Sequence, residues 1–157
     1  MKSTDSCQSP NYVDDDLTFF IGIYRDRVRA EGALARLREH FSGARVIARS
    51  DGDADPKNRE LKERFDVDYR EERRLYPIEN GGAMIARILE LFLERPTRYL
   101  LKIDTDTAVY RRFHFLPQEK GVFGAVQPSK QGCFSVQGGF TGFTEETARL
   151  MLDSDVL

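Results

Sequence analysis

Leu17-Thr-Phe-Phe-Ile-Gly-Ile-Tyr24 is an apolar run without polar alternation, the pattern of a strand buried on both faces. Behind it Ala30, Leu34, Leu37 and Phe41 recur at spacings of four, three and four, which predicts a helix burying one stripe. Ser42-Gly43 ends that helix, since Gly accepts the left-handed terminal conformation. Arg45-Val-Ile-Ala48 then supplies a second strand. Strand, helix and strand in this order close a βαβ unit, whose strands are parallel and whose crossover is right-handed. A sheet of this kind needs helices on both faces, so the rest of the chain must supply them.

It does. Asn80-Gly81-Gly82 opens an amphipathic helix with Met84, Ile88 and Phe92 in one row and Ile85 and Leu89 in the next; Pro96 stops it. Arg98-Tyr-Leu-Leu-Lys-Ile-Asp104 is a further buried strand and Val122–Gln127 a short one. Thr144 is placed to cap a last helix, with Glu145 and Glu146 complementing its N-terminal dipole. Ser50-Asp-Gly-Asp-Ala-Asp-Pro56 reads as a loop. Lys57–Arg74 holds thirteen charged residues in eighteen and reads as a solvated helix followed by an irregular segment. The expected class is α/β, a Rossmann-like three-layer sandwich on a mostly parallel sheet. No internal repeat or low-complexity segment interrupts it.

Composition narrows the function. The 157 residues are 40% hydrophobic and 32% charged, with a net charge of -2. That balance, at a pI near 5.8, carries no basic excess for nucleic acid. Four Asp and one Lys in the first sixteen residues describe a disordered acidic leader, 1–16, ahead of a single domain over 17–157. No apolar run approaches the roughly 20 residues of a transmembrane segment, and the leader lacks a signal peptide's apolar stretch. Two cysteines, Cys7 and Cys133, make no disulfide framework. A cytoplasmic location is the expectation.

The chemistry concentrates where the apolar run Tyr99–Ile103 meets Asp104-Thr-Asp106. Side chains at i and i+2 of an extended segment leave the same face, with Cα atoms about 6.5–7 Å apart. Both carboxylates therefore point together at the C-terminal end of a strand, where open α/β sheets gather ligands. Oxygen-only donors favour Mn²⁺ or Mg²⁺, completed by phosphate and water. Lys102 shares the face and neutralises the pair. The haloacid-dehalogenase-type phosphatases also place Asp-x-Asp after a strand, but want Thr or Val where this chain has Ala108, and want the first strand.

In the order of its elements the chain over Leu17–Leu157 resembles the nucleotide-sugar glycosyltransferases of the GT-A fold. The stretch Tyr99–Asp106 is similar to the "aromatic, two aliphatics, Lys, x, D-x-D" stretch of the β-1,3-galactosyltransferase-like and fringe-like branch. Gln137-Gly-Gly-Phe-Thr-Gly-Phe-Thr144 resembles the same branch's glycine-rich loop; a family 2-like assignment is the other placement. The resemblance implies a divalent metal on Asp106, with Asp104 at the ribose or the metal. It implies a UDP-sugar donor held by Tyr24, Arg25 and Asp51, Tyr24 stacking on the base and Arg25 reaching the diphosphate. Asp53 is the alternative to Asp51. Gly138 and Gly139 would form the donor and acceptor loop, with a sugar, lipid or protein as acceptor. The family's catalytic base lies beyond the helix after that loop, where only Asp153 and Asp155 are present, which implies a C-terminally incomplete domain. A domain that binds a nucleotide sugar without turnover is the alternative, and a phosphatase the third reading.

Overall fold

The computed structural model describes residues 10–51, 56–73, 77–128 and 134–154. Six strands form one sheet: β1 (Leu17–Ile23), β2 (Arg45–Asp51), β3 (Asp68–Glu72), β4 (Tyr99–Ile103), β5 (Val122–Pro128) and β6 (Phe134–Thr144). Four helices flank them: α1 (Arg27–His40), α2 (Glu60–Phe65), α3 (Pro77–Leu93) and α4 (Glu145–Asp153). The spatial order is β3-β2-β1-β4-β6-β5. The first four strands run parallel, while β6 lies antiparallel to both β4 and β5.

The sheet is buried on both faces, and the two periodicities of the sequence explain how. Leu17, Phe19, Ile21 and Ile23 of β1, with Tyr99, Leu101 and Ile103 of β4, meet Ala30, Leu34 and Leu37 of α1 and Leu61 and Phe65 of α2. The alternate residues Phe20, Ile47 and Leu100 turn to the other face, against Ile88, Leu89 and Phe92 of α3 and Ala148 of α4. These are the three expected layers, with one core on each side of the sheet.

Four details depart from the sequence expectation. Lys57–Arg74 contains a short 3₁₀ turn, α2, and then a true strand, β3, rather than a solvated helix and an irregular tail. The strand escaped notice because β3 is an edge strand whose charged side chains pair laterally. Arg70 holds Asp68 at 2.8 Å, and Arg59 holds Glu71 at 2.8 Å. The helix α3 starts at Pro77, so Gly81 and Gly82 lie inside it; burial of its apolar stripe overrides their low helix propensity. Ser50 and Asp51 belong to β2 rather than to the following loop. Finally, the leader is not a disordered tail throughout. Tyr12 is buried and donates its hydroxyl to the Phe113 carbonyl. Asn11 exchanges two hydrogen bonds with the Leu116 backbone. Asp14 accepts from Arg112 and from the Gly43 N–H. Residues 1–9 lie outside the described residues.

Arginines fasten the helix ends. Arg45, at the start of β2, donates to the Phe92, Leu91 and Arg95 carbonyls, so a cation closes the C-terminal end of α3, where the helix dipole favours positive charge. Arg38 does similar work for α1 and the end of α2, reaching the Ala44, Phe65 and Asp66 carbonyls. Thr144 caps α4 as expected, its hydroxyl accepting from the Thr147 N–H.

On the α3 side a chain of charges crosses the sheet. The buried guanidinium of Arg49 lies 3.0 Å from Glu72, which also receives Arg87 from α3. The hydrogen bond from Arg87 holds the Glu72 carboxyl below its ordinary value of 4.5. Arg70 does the same for Asp68, against an ordinary value of 3.8. A carboxyl depressed in the folded state lends stability that is complete above its unfolded value and is lost as pH falls through the folded one. Urea unfolding midpoints are therefore expected to hold between about pH 7 and 5.5 and to drop below about pH 4.5. Glu72→Gln should lower stability at neutral pH by about 1–3 kcal/mol and flatten the acid limb. An unchanged limb in that variant would exclude Glu72 as a source of the acid sensitivity.

Candidate functional site

The strand order reverses direction at β1. From β1 the chain proceeds outward through β2 to β3, then returns to place β4 on β1's other side. At such a switch point the loops leaving the two central strands part in opposite directions and leave room for a ligand. In register, Ile21 lies beside Ile103 and Ile23 beside Ser50, so β1, β2 and β4 finish at one edge. With strands about 4.8 Å apart, Tyr24, Asp51 and Asp104 emerge along roughly 10 Å of that edge.

Asp104 is the first residue past β4. Its carboxylate is 45% exposed and bonded to Lys102 Nζ at 2.5 Å, the neutralising contact expected from their shared face. Asp106 sits two residues on in an exposed turn and makes no hydrogen bond or ion pair with the described residues. The turn is held by its backbone: Thr107 N–H donates to the Asp104 carbonyl at 3.0 Å. Both Asp104 N–H (3.1 Å) and the Thr107 hydroxyl (3.0 Å) donate to the Gly139 carbonyl. Thr107 is thus a positioning residue that the sequence reading missed; its only signal was a hydroxyl directly after the acidic pair.

Gly138 and Gly139 do not form a loop. They lie within β6, where Ile103 pairs with Phe140 and the strand continues along β4. Gly139 packs closely in that strand. A Cβ on Gly139 would stand 3.3 Å from Thr107 Oγ1 and 4.0 Å from Asp104 Oδ2, so its lack of a side chain lets β6 lie against the acidic turn.

Tyr24 and Arg25 follow β1. The Arg25 guanidinium lies 5.0 Å from the centre of the Tyr24 ring, a cation–π contact. Arg25 adopts φ 56°, a left-handed conformation that costs a non-glycine residue about 1–3 kcal/mol and clusters at ligand sites. The next residue, Asp26, is the N-cap position of α1. Asp51 ends β2. Asp153 is exposed at the end of α4, whose first N–H bonds the Arg98 carbonyl at the opposite end of β4 from Asp104. Asp53 and Asp155 lie outside the described residues.

The donor set suits a hard divalent cation of the Mn²⁺ or Mg²⁺ kind. Such ions are held by one or two carboxylates and complete their shell with substrate phosphate and water. Among the described residues no group of three His, Cys, Asp or Glu side chains is placed to hold a metal ion. A cavity of about 740 Å³ lies elsewhere, at the N-terminal ends of the strands between Arg38, Arg45, Asp68 and Thr97. Arg38 and Arg45 in its lining are already engaged by backbone carbonyls.

No protein-family model and no curated protein sequence matches the chain. Solved structures do match its fold. The mannosyltransferase PcManGT from Pyrobaculum calidifontis, solved with GDP-Man and Mn²⁺, superposes with a TM-score of 0.63 at 15% identity. The match covers 90% of this chain and 48% of that one, so the chain spans about half the length of PcManGT. A protein from Desulfovibrio desulfuricans G20, assigned as a nucleotide-diphospho-sugar transferase, matches with a TM-score of 0.51 at 8% identity, over 91% of this chain and 69% of its own. The fold is therefore the Rossmann-like, GT-A-type fold found in nucleotide-diphospho-sugar transferases. Among the described residues no helix is long and apolar enough to cross a membrane.

Proposed function

We propose that this chain is the donor-binding domain of a metal-dependent glycosyltransferase that takes a sugar from a nucleoside diphosphate. The observation that carries the proposal is the acidic pair Asp104 and Asp106 at the C-terminal end of β4, beside the switch point between β1 and β4. Asp106, with Asp104, would hold the cation, and the cation would supply Lewis-acid stabilisation of the departing diphosphate. Tyr24 offers its ring to the base, Arg25 its charge to the diphosphate, and Asp51 its carboxylate to the base. The strain at Arg25 supports a role there, because the fold maintains a conformation that its own stability does not favour. A UDP-sugar donor is the finer reading, drawn from the likeness of Tyr99–Asp106 to the β-1,3-galactosyltransferase-like and fringe-like branch. The base that deprotonates the acceptor is left unassigned; Asp153, exposed at the C-terminal end of α4, and Asp155 are its candidates.

A phosphatase of the haloacid-dehalogenase type is not favoured: its motif belongs on the first strand, and here the pair follows β4. Titration calorimetry with UDP tests the proposal directly. Saturable binding with Mn²⁺, lost on adding EDTA, is the expected result. Absence of UDP and GDP binding in the presence of Mn²⁺ would sink it. Binding without release of UDP from UDP-sugars, whatever the acceptor, would reduce it to a binding domain without turnover.

A further inference from the structure

The segment from Thr107 to Phe115, with Phe140 of β6, lines an open cavity of about 650 Å³. It adjoins the acidic turn through Thr107, whose hydroxyl bonds the same Gly139 carbonyl that receives Asp104 N–H. Tyr110 is 73% exposed and Phe115 64%, the two aromatics among the exposed large hydrophobic side chains of the described residues. Aromatic side chains left in water beside a cavity mark a binding surface more often than a packing error.

The segment is also held rigidly for one of its kind. Phe113 stacks on Phe41 and on Phe140, at 5.3 and 5.4 Å between ring centres. Asn11 and Tyr12 fasten Leu116 and Phe113 from the leader. The Arg36 guanidinium of α1 lies 5.7 Å from the centre of the Tyr110 ring, a cation–π contact. Phe113, between Phe41 and Phe140, anchors the segment that carries Tyr110 and Phe115, and a backbone already placed lowers the entropic cost of binding.

The lining contains no carboxylate. It carries Arg111, Arg112 and His114. Arg112 is engaged by Asp14 and by the His40 carbonyl, whereas Arg111 is exposed and forms no ion pair with the described residues. Aromatic faces interleaved with a guanidinium, an imidazole and a phenol suit a ring with apolar C–H faces, hydroxyl edges and a negative charge. An alkyl chain would want a continuous apolar path, which these polar side chains interrupt.

We propose that this cavity is the acceptor subsite and that its occupant is a glycan bearing an acidic sugar. This rests on the transferase reading above for the word acceptor, but not for the binding itself. Heteronuclear NMR titration of the full chain with tetragalacturonate, a hyaluronan tetrasaccharide and sialyllactose tests it, with cellotetraose as the neutral comparator. At least one acidic glycan is expected to saturate the chain with Kd below about 1 mM. Its affinity should fall at least tenfold in Tyr110→Ala. In Arg111→Gln it should fall about fivefold with loss of its salt dependence. Both side chains are exposed, so thermal unfolding should be unchanged, which separates lost contact from lost fold.

Failure of all three acidic glycans to saturate, or binding indifferent to Tyr110→Ala, overturns the site. Equal binding of cellotetraose overturns the acidic sugar, and preference for phosphatidylglycerol vesicles over every glycan overturns the glycan. UDP and Mn²⁺ titrated into the same samples keep the two readings apart. Glycan binding without UDP binding leaves this site standing and removes the donor site; UDP binding retained in Tyr110→Ala supports two separate subsites.

Discussion

Asp106→Ala is expected to reduce Mn²⁺-dependent UDP binding at least a hundredfold while leaving the fold intact. Asp106 is exposed and bonds none of the described residues, so its loss should change stability by no more than about 0.5 kcal/mol. The affinity loss corresponds to about 2.7 kcal/mol, within reach of one metal ligand among few. Asp104→Ala should match it in binding but is the less clean probe, because it also breaks the ion pair to Lys102. Calorimetry at fixed Mn²⁺ measures both, and EDTA added to the unaltered chain should reproduce the Asp106→Ala result. A variant that binds UDP as tightly as the unaltered chain would remove the acidic pair from the donor site.

The second large effect concerns the fold. Gly142 lies in β6 opposite Leu101 on one side and Phe123 on the other. The Phe123 ring crosses directly over it and meets the edge of Tyr99 at 6.2 Å. A Cβ at position 142 would fall within the Phe123 ring's own volume, so the ring must move for any other residue to fit. Overpacking of this kind typically costs about 1–3 kcal/mol, and the closeness here argues for the upper part of that range. In a chain of this size each kcal/mol lowers Tm by about 2–4 °C, so Gly142→Ala should lower it by roughly 5–10 °C. Because the clash has one named partner, Phe123→Ala should be less damaging in the Gly142→Ala background than alone. The two changes are in contact and should couple by at least about 0.5 kcal/mol. Strict additivity in thermal or urea unfolding would place the clash elsewhere.

These two residues show how differently the sequence reveals a site and a packing device. The acidic pair was legible because charge is rare at the end of an apolar strand, and because a two-residue spacing fixes a common face in any extended segment. Gly142 was not legible as a packing residue. The glycines of Gln137–Thr144 suggest a loop when read locally, since glycine weakens strands. The partners they pack against, Thr107 for Gly139 and Phe123 for Gly142, are brought there only by the antiparallel return of β6.

The same division holds elsewhere. Strand β3 was hidden because its residues are charged, and only the edge of a completed sheet gives them lateral partners. The leader looked like solvated chain because Asn11, Tyr12 and Asp14 find their partners about a hundred residues later, at Leu116, Phe113 and Arg112. Nothing local announces a contact at that separation.

By itself the sequence determined the α/β class, the two apolar faces of β1 and β4, the helices α1, α3 and α4, and the acidic pair. All of these rest on periodicity and on burial, which act over a few residues. Tertiary structure alone decided that β4 lies beside β1 and not beyond β3, so that the acidic pair leaves the sheet at the same edge as Tyr24 and Arg25. It also turned the glycine-rich segment into a strand and set two exposed aromatic rings beside the acidic turn. The reason is physical: pairing order and ring packing depend on which distant segments meet, and that is settled by the whole core at once.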